Sequence, residues 1–260
     1  MLISITAVIK ARNEAAQIAD CIKSLEGFAA EIIVVNDMST DDTVAIASAA
    51  GAKIINAESK NGMIDVLDEI GFEAAASDWI LRIDADERMT PTLAQALKNA
   101  AASGRYAGAR YARKQIMFGK WVRNGGWFRN DQLRFFRADS WERNWSCEVH
   151  SQVSVKGSIF TLPLQECYAT IHHDYNTVDK FIQRTLKNYA LAEAYVALAN
   201  GRRFSALRMV FKPIKRFLGR YLIRQGFRDG ARGLILAGLL AAYDFCIEAN
   251  LWDLQRKSNK

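Results

Sequence analysis

The hydrophobic and polar positions of the chain fall into two rhythms. Ile3 to Ile9 is a β-branched run of the kind that forms a buried strand, and Ala15, Ile18, Ile22 and Leu25 then follow at helical spacing. Asn13 stands where a helix cap belongs and Gly27 where a helix ends. EIIVV at 31–35 reads as a second strand. Ser39 or Thr40 is expected to cap the next helix, with Asp41 and Asp42 in its first turn, and Gly51 closes it before a short strand from Lys53 to Ile55. A further helix is expected within Ile64 to Ala76, feeding a strand from Trp79 to Ile83. This alternation predicts an α/β fold with a mostly parallel sheet and right-handed crossovers. From Gly104 to Ile171 the texture changes to short aromatic and arginine-rich segments. Helices return from Thr177 to Asn200, where Asn200-Gly201 is a natural stop, and continue to the end.

Two acidic clusters follow apolar strands: NDMSTDD at 36–42 and DADE at 84–87. In open parallel sheets ligands bind beyond the carboxyl ends of the strands, which is where both clusters fall. Asp84 and Asp86 share one face of an extended chain and can converge on a hard divalent ion such as Mg²⁺ or Mn²⁺. A D-x-D tripeptide alone is usually a surface turn; the apolar run before it and the second cluster favour the metal reading. Neither G-x-G-x-x-G nor G-x-x-x-x-G-K-[ST] occurs, so the common dinucleotide and P-loop fingerprints are absent.

Composition and charge refine this picture. Half of the 260 residues are hydrophobic, enough for a sizeable core. The four cysteines are scattered without a C-x-x-C pair, and MLISITAVIK does not read as a signal peptide, so a reducing cytoplasm is expected. Residues 201–260 hold 13 Lys and Arg against 4 Asp and Glu, a net +9, while the preceding 200 hold 22 against 24. After Pro213, Ile214, Phe217, Leu218, Tyr221 and Leu222 keep helical spacing, with Lys215, Arg216, Arg220 and Arg224 on the other side. Two readings stand: a basic helix lying on an anionic membrane, or an apolar stripe packed on the protein's own core. The apolar run Gly233 to Tyr243 is shorter than the roughly 20 residues of a spanning helix, and no transmembrane helix is expected.

The pieces Lys10-Ala-Arg-Asn-Glu14, Val35-Asn-Asp-Met-Ser-Thr-Asp41 and Asp84-Ala-Asp-Glu87, in this order after successive strands, resemble the family 2 glycosyltransferases. Gly125-Gly-Trp127, Leu133-Arg-Phe-Phe-Arg137, Val149-His150, His172-His-Asp-Tyr175 and Gly226-Phe-Arg-Asp-Gly230 extend the likeness to the bacterial lipopolysaccharide and lipooligosaccharide core subgroup. The resemblance implies a GT-A-like sheet flanked by helices, with residues 1–110 binding the nucleotide sugar, 111–200 forming the acceptor half and 201–260 a basic amphipathic helical extension. It implies an inverting transferase that uses a divalent metal and a nucleotide-sugar donor, UDP-linked, and acts on a glycan or glycolipid hydroxyl. Asp37 matches the acid that recognises the nucleoside, with Lys10, Asn13 and Glu14 lining the same cleft; Asp84 matches a position near ribose and metal, Asp86 a direct ligand, and His172 either a third ligand or a hydrogen-bonded core histidine. For Asp41 helix capping is the preferred reading.

The sequence departs from the subgroup at two positions. Ser151 follows His150 where the subgroup has Glu, leaving Glu148 and Asp131 as the acids available for general base, or for salt bridges to nearby arginines. Met38 stands where a glycine is usual. Lys114, Arg123, Arg129 and Arg134 flank Trp121, Trp127 and Trp141, residue types that grip phosphates and stack on sugars; Trp127 and Arg134 are placed in an acceptor wall, and some of the tryptophans are expected to be core. The expected location is the inner face of the cytoplasmic membrane, with an anionic lipid surface as partner and no nucleic acid. A non-catalytic basic membrane- or nucleic-acid-binding protein does not explain the acidic strand ends, and a nucleotidyltransferase calls for a glycine- and lysine-rich loop that ARNEAAQ is not.

Overall fold

The computed structural model describes residues 3–59, 66–129, 132–142 and 153–258. These divide into two compact units: residues 1–113 with 129–172, and residues 114–128 with 173–260.

The first unit is built on strands β1 (Ile5–Ala11), β2 (Glu31–Asp37), β3 (Lys53–Ala57) and β4 (Trp79–Asp84), interleaved with helices α1 (Ile18–Ser24), α2 (Thr43–Ala49) and α3 (Val66–Glu73). The four strands are parallel, as the alternation predicts, and the structure sets their order as β3-β2-β1-β4. The short β5 (Glu87–Arg88) and helix α4 (Pro91–Ala102) follow. Thr90 caps α4, its hydroxyl accepting from the Leu93 N–H, and Pro91 sits at the start where no intrahelical donor is needed. The sheet then turns antiparallel: β6 (Gly108–Met117), whose last residues enter the second unit and pair with β7 (Lys120–Trp121), and β8 (Gln132–Arg137), which lies beside β4. A small ribbon of β9 (Trp141–Glu142) and β10 (Ser154–Val155) stands apart, β11 (Ile159–Thr161) runs parallel to β6, and β12 (Ala169–His172) pairs with β5. The main sheet is ordered β3-β2-β1-β4-β8-β6-β12-β5.

Alternation along β1 assigns its residues to two cores. Ile5, Ala7 and Ile9 meet Ile18, Ile22 and Leu25 of α1 with Leu93 and Leu97 of α4; Val8 faces the other way, with Ile33, Val35, Leu67 and Phe72. A strand covered on both faces has no polar side to present, hence the continuous apolar runs. Helix α3 comes very close to the sheet at Gly71, where an added Cβ would lie 2.2 Å from Val8 Cγ1.

The second unit is helical. It comprises α5 (Val178–Phe181), a wide-turn segment Ile182–Tyr189, α6 (Ala190–Ala199), α7 (Ala206–Leu218), a second wide turn Gly219–Ile223, a 3₁₀ turn Gly226–Asp229 and α8 (Ala231–Ser258). Asn200 and Gly201, the latter at φ +72°, end α6 as expected. Two sequence expectations are corrected here. Pro213 lies inside α7, which starts instead after Ser205, whose hydroxyl accepts from the Arg208 N–H. The terminal apolar run is part of a 28-residue helix, α8, long and apolar enough by length and composition to cross a membrane.

That helix carries two buried acids, and both are matched by cations of the same unit. Asp244 accepts from Arg216 Nε and Nη2 at 2.6 and 2.7 Å and from Lys212 at 3.1 Å; Glu248 meets Arg208 at 2.9 Å and Arg202 at 3.1 Å. The Asp244 carboxylate, hydrogen-bonded to Arg216, holds that guanidinium above its ordinary pKa.

Two stability predictions follow from these contacts. Gly71→Ala forces a side chain into Val8 and is expected to lower the urea-unfolding free energy by about 1–3 kcal/mol, despite the better helix propensity of alanine. Arg216→Met leaves Asp244 with only Lys212 and is expected to cost about 3 kcal/mol in the same measurement, whereas the exposed Arg228→Met changes it by less than about 0.5 kcal/mol.

Candidate active site

Because β1, β2 and β4 run in one direction, Ala11, Asp37 and Asp84 end at the same edge of the sheet, with Lys10 in register with Asp84 on one side and Val35 on the other. The ionisable groups there are mostly buried. Asp37 is nearly inaccessible; it accepts from the Ser59 N–H at 2.8 Å, from the Ser59 hydroxyl at 2.9 Å and from the exposed Arg12 at 3.3 Å. Beside it, the Asn36 side-chain amide donates to Asn56 at 2.8 Å. Lys10 Nζ lies 3.2 Å from Asp68 of α3, which also pairs with Arg82 of β4 at 2.8 Å.

The loops after β1 and β2 are tied to each other. Asn13 does not cap α1, which begins after Gln17 with no side-chain cap. It takes a left-handed backbone, φ +56°, and its side-chain oxygen accepts from the Thr40 N–H at 2.8 Å, while its own N–H donates to the Ser39 hydroxyl at 3.0 Å. Ser39 and Thr40 are thereby drawn away from α2, and neither caps it. Asp41 sits at the start of that helix, accepting from the Thr43 and Ala15 N–H groups, each at 3.1 Å. The Thr43 hydroxyl bonded to Asp41, aided by these N–H groups, holds its carboxyl below the usual range. Met38, where a glycine is usual, is at φ +49° with an exposed side chain. Glycine takes that conformation without a Cβ penalty, which is the physical reason for the usual residue.

The centre of the site is an ionic cluster of two acids and two arginines. Arg134 of β8 reaches Asp84 at 2.9 Å and Glu87 at 3.1 Å; Arg113 of β6 reaches the same two at 3.4 and 3.1 Å. Glu87 is fully buried and also accepts from the Thr170 hydroxyl at 3.0 Å. Burial alone acts to raise the Asp84 carboxyl, but Arg134, then Lys10, Arg82 and Arg113 outweigh it and hold it well below the ordinary range. Arg134 is in turn held above its own ordinary value: burial opposes its charge, and Asp84 and Glu87 more than compensate. Arg134, read from the sequence as part of an acceptor wall, is therefore a buried partner of the D-x-D motif. Glu87, Arg113 and Thr170 also belong to this cluster, and Asp68 and Arg82 form a separate ion pair with Lys10. Alternation marks Arg82 and Glu87 as charges within or next to apolar strands, but nothing local predicts their partners.

Asp86 points elsewhere. Its Oδ1 lies 3.2 Å from Nε2 of His172, both residues nine-tenths buried, because β5 and β12 pair with Glu87 opposite His172. A carboxylate oxygen and an imidazole nitrogen this close are donors that one divalent transition-metal ion such as Mn²⁺ can take together. Glu14 joins the network of the loops after β1 and β2 through its backbone, its N–H donating to the Thr43 hydroxyl at 2.8 Å. Glu148 and Asp131, the two acids considered for general base, lie outside the described residues, as do His150 and Ser151.

The tryptophans divide. Trp141 packs edge-on against Phe72, 5.6 Å between ring centres, in the first unit's core. In the second unit Trp121 lies between Lys114 at 4.5 Å and Arg123 at 4.0 Å, and Arg220 lies 5.2 Å from the Trp127 ring. Asp229 explains part of the FRDG motif. Its carboxylate accepts from the N–H groups of Arg123 and Asn124, at 3.2 and 2.8 Å, and locks the loop that leads into Gly125-Gly126-Trp127. Arg220 donates to the Gly125 carbonyl at 2.7 Å.

The chain is similar to several known proteins. An uncharacterised glycosyltransferase of Rickettsia felis is 28% identical over 98% of this chain and 91% of its own length. The lipopolysaccharide core biosynthesis glycosyltransferase LpsC of Rhizobium meliloti is 28% identical over 95% of this chain and 92% of its own. Among solved structures, glucosyl-3-phosphoglycerate synthase of Mycobacterium tuberculosis, in complex with Mn²⁺ and UDP-glucose, overlaps at a TM-score of 0.38 with 24% identity, covering 44% of each chain. The sequence profile described as glycosyl transferase family 2 matches residues 6–160, more than half of the protein, and includes all three acidic or polar strand ends. The chain belongs to glycosyl transferase family 2.

Proposed function

We propose that this glycosyltransferase moves a sugar, with inversion, from a UDP-linked donor to a hydroxyl of a glycan or glycolipid acceptor in lipopolysaccharide core or a related cell-surface glycan, with a divalent metal. The observation that carries the reading is the Asp86–His172 pair, buried beside an edge where three strands end in polar and acidic residues. Asp86 and His172 would hold the ion. The ion, when bound, stabilises negative charge on the departing nucleoside diphosphate. The LpsC relative, similar over nearly its whole length, supports the acceptor class.

The chain's own residues do the rest. Asp37, held in place by Ser59, is positioned for the nucleoside, and Arg12, exposed and at 3.3 Å, is the partner a ligand can displace. Asp84 is kept ionised by Arg134 and Arg113, so it accepts hydrogen bonds and donates none. Attack needs a carboxylate that takes the acceptor proton, and by sequence this is Glu148 or Asp131.

Two measurements test the reading. With Mn²⁺ present, UDP is expected to raise the melting temperature of the wild type, since a ligand bound only by the folded state stabilises it. Asp86→Asn should lose both that metal-dependent rise and sugar transfer while the unliganded protein melts as before; full activity in this variant overturns the metal assignment. For the base, one of Glu148→Gln and Asp131→Asn is expected to lose about 10²-fold or more in kcat with donor binding nearly unchanged. Normal turnover by both removes these two residues from the role.

A further inference from the structure

Helix α7 is amphipathic in the reverse sense to a helix packed on a protein core. The cations Arg208, Lys212 and Arg216 of α7, with Arg220 of the wide turn that continues it, recur every fourth residue and therefore share one side. That side is turned inward: the first three meet the buried Glu248 and Asp244 of α8, and Arg220 meets the Gly125 carbonyl. Six apolar residues, at i, i+3, i+4, i+7, i+11 and i+15, are left outside, while Met209, Phe217 and Tyr221 are half-buried. Leu207 is 71% exposed and Phe211 62%, and Val210, Ile214, Leu218 and Leu222 are exposed along the same line. Ile223, immediately after, is 81% exposed. A contiguous stripe of large apolar side chains in water is unfavourable and marks a surface that another phase or molecule covers.

The charges of the segment that carries α7 and α8 identify the cover. Residues 201–260 contain only four acids. Asp244 and Glu248 are buried against α7, Asp229 is bound to the 123–124 loop, and Asp253 is paired with Arg256 and Lys257. Arg203, Lys215 and Arg228 remain on the exposed surface, and Lys215 directly follows Ile214 of the stripe. The outward face of α7 is thus apolar with cationic flanks and all four acids engaged elsewhere. This pattern is complementary to a bilayer, with acyl chains for the stripe and anionic headgroups for the flanks.

We propose that α7 is an in-plane membrane anchor that inserts its apolar stripe into the acyl boundary of an anionic bilayer. The sequence pattern leaves two readings, a basic helix on an anionic membrane or an apolar stripe on the core; in the structure Arg216 and Arg220 are internal fasteners, and apolar insertion supplies the attachment, with Lys215, Arg203 and Arg228 adding electrostatic attraction. The proposal is independent of which sugar is transferred. Attachment of this kind is only partly screened by salt, because screening acts on the flanking charges and not on buried apolar area.

The test is flotation of the full chain with vesicles of phosphatidylglycerol and phosphatidylethanolamine, at low salt and at 1 M NaCl, beside vesicles of phosphatidylcholine alone. The wild type is expected to float with the anionic vesicles and to retain part of that binding at high salt. Leu207→Ser with Phe211→Ser and Ile214→Ser should weaken partitioning on the order of 10²-fold at both salt concentrations. The three side chains are exposed, so unchanged melting confirms folding of the variant. Arg203→Gln with Lys215→Gln and Arg228→Gln should abolish the preference for anionic lipid and leave the salt-resistant part. A tryptophan at position 211 (Phe211→Trp) should be quenched by brominated acyl chains. Equal flotation of wild type and the serine variant, binding abolished outright by 1 M salt, or an unquenched tryptophan would each overturn the proposal. So would a wild-type dimer in sedimentation, monomeric in the serine variant, without vesicle binding, which assigns the stripe to a second copy.

Discussion

The constraint on which the first unit depends is that several carboxylates are buried at the ends of adjacent parallel strands. Removing an ion from water costs several kcal/mol unless a partner of good geometry replaces the solvent. Each acid here has such partners. Asp84 and Glu87 share Arg134 and Arg113, Asp68 takes Lys10 and Arg82, and Asp37 takes Ser59 and Arg12. Arg134 and Arg113 come from β8 and β6, so the acids of the parallel half are compensated by cations of the antiparallel half. The cluster couples the two halves of the sheet.

The same accounting separates the two aspartates of the D-x-D motif. Asp84 is committed to arginines, and Asp86, one residue past an intervening alanine, turns to His172 across the β5–β12 pair. Two identical residues at i and i+2 thus have different tasks, and the cross-strand register makes the difference. The loop residues follow a related logic. Asn13 and Met38 both adopt left-handed backbone, and Asn13 stitches the loop after β1 to Ser39 and Thr40 after β2. The edge of the sheet is therefore a bonded surface.

In the second unit buried charge has the opposite geometric effect. The acids of α8 capture the cations of α7, and with the polar side turned inward the apolar side has nowhere to go but outward. Pairing to buried carboxylates, worth more than solvation of the same cations once the acids are enclosed, fixes the rotation of α7 about its axis.

Period and composition are local properties, and what depends on them was legible in the chain. The strands β1 to β4, their parallel direction by alternation with helices, the acids at the carboxyl ends of β2 and β4 and the stop at Asn200-Gly201 all follow from residues within a few positions of one another. Asp41 at the start of α2 was legible for the same reason. Partner choice is not local. That Arg134 meets Asp84, fifty residues away, that Asn13 bonds Thr40 instead of capping α1, and that α7 starts at Ser205 and runs through Pro213 are decided by register and packing between distant segments. The amphipathic pattern of α7 states that two faces differ; only the tertiary structure decides which one is turned inward, because a pattern records contrast and the position of the buried carboxylates records direction.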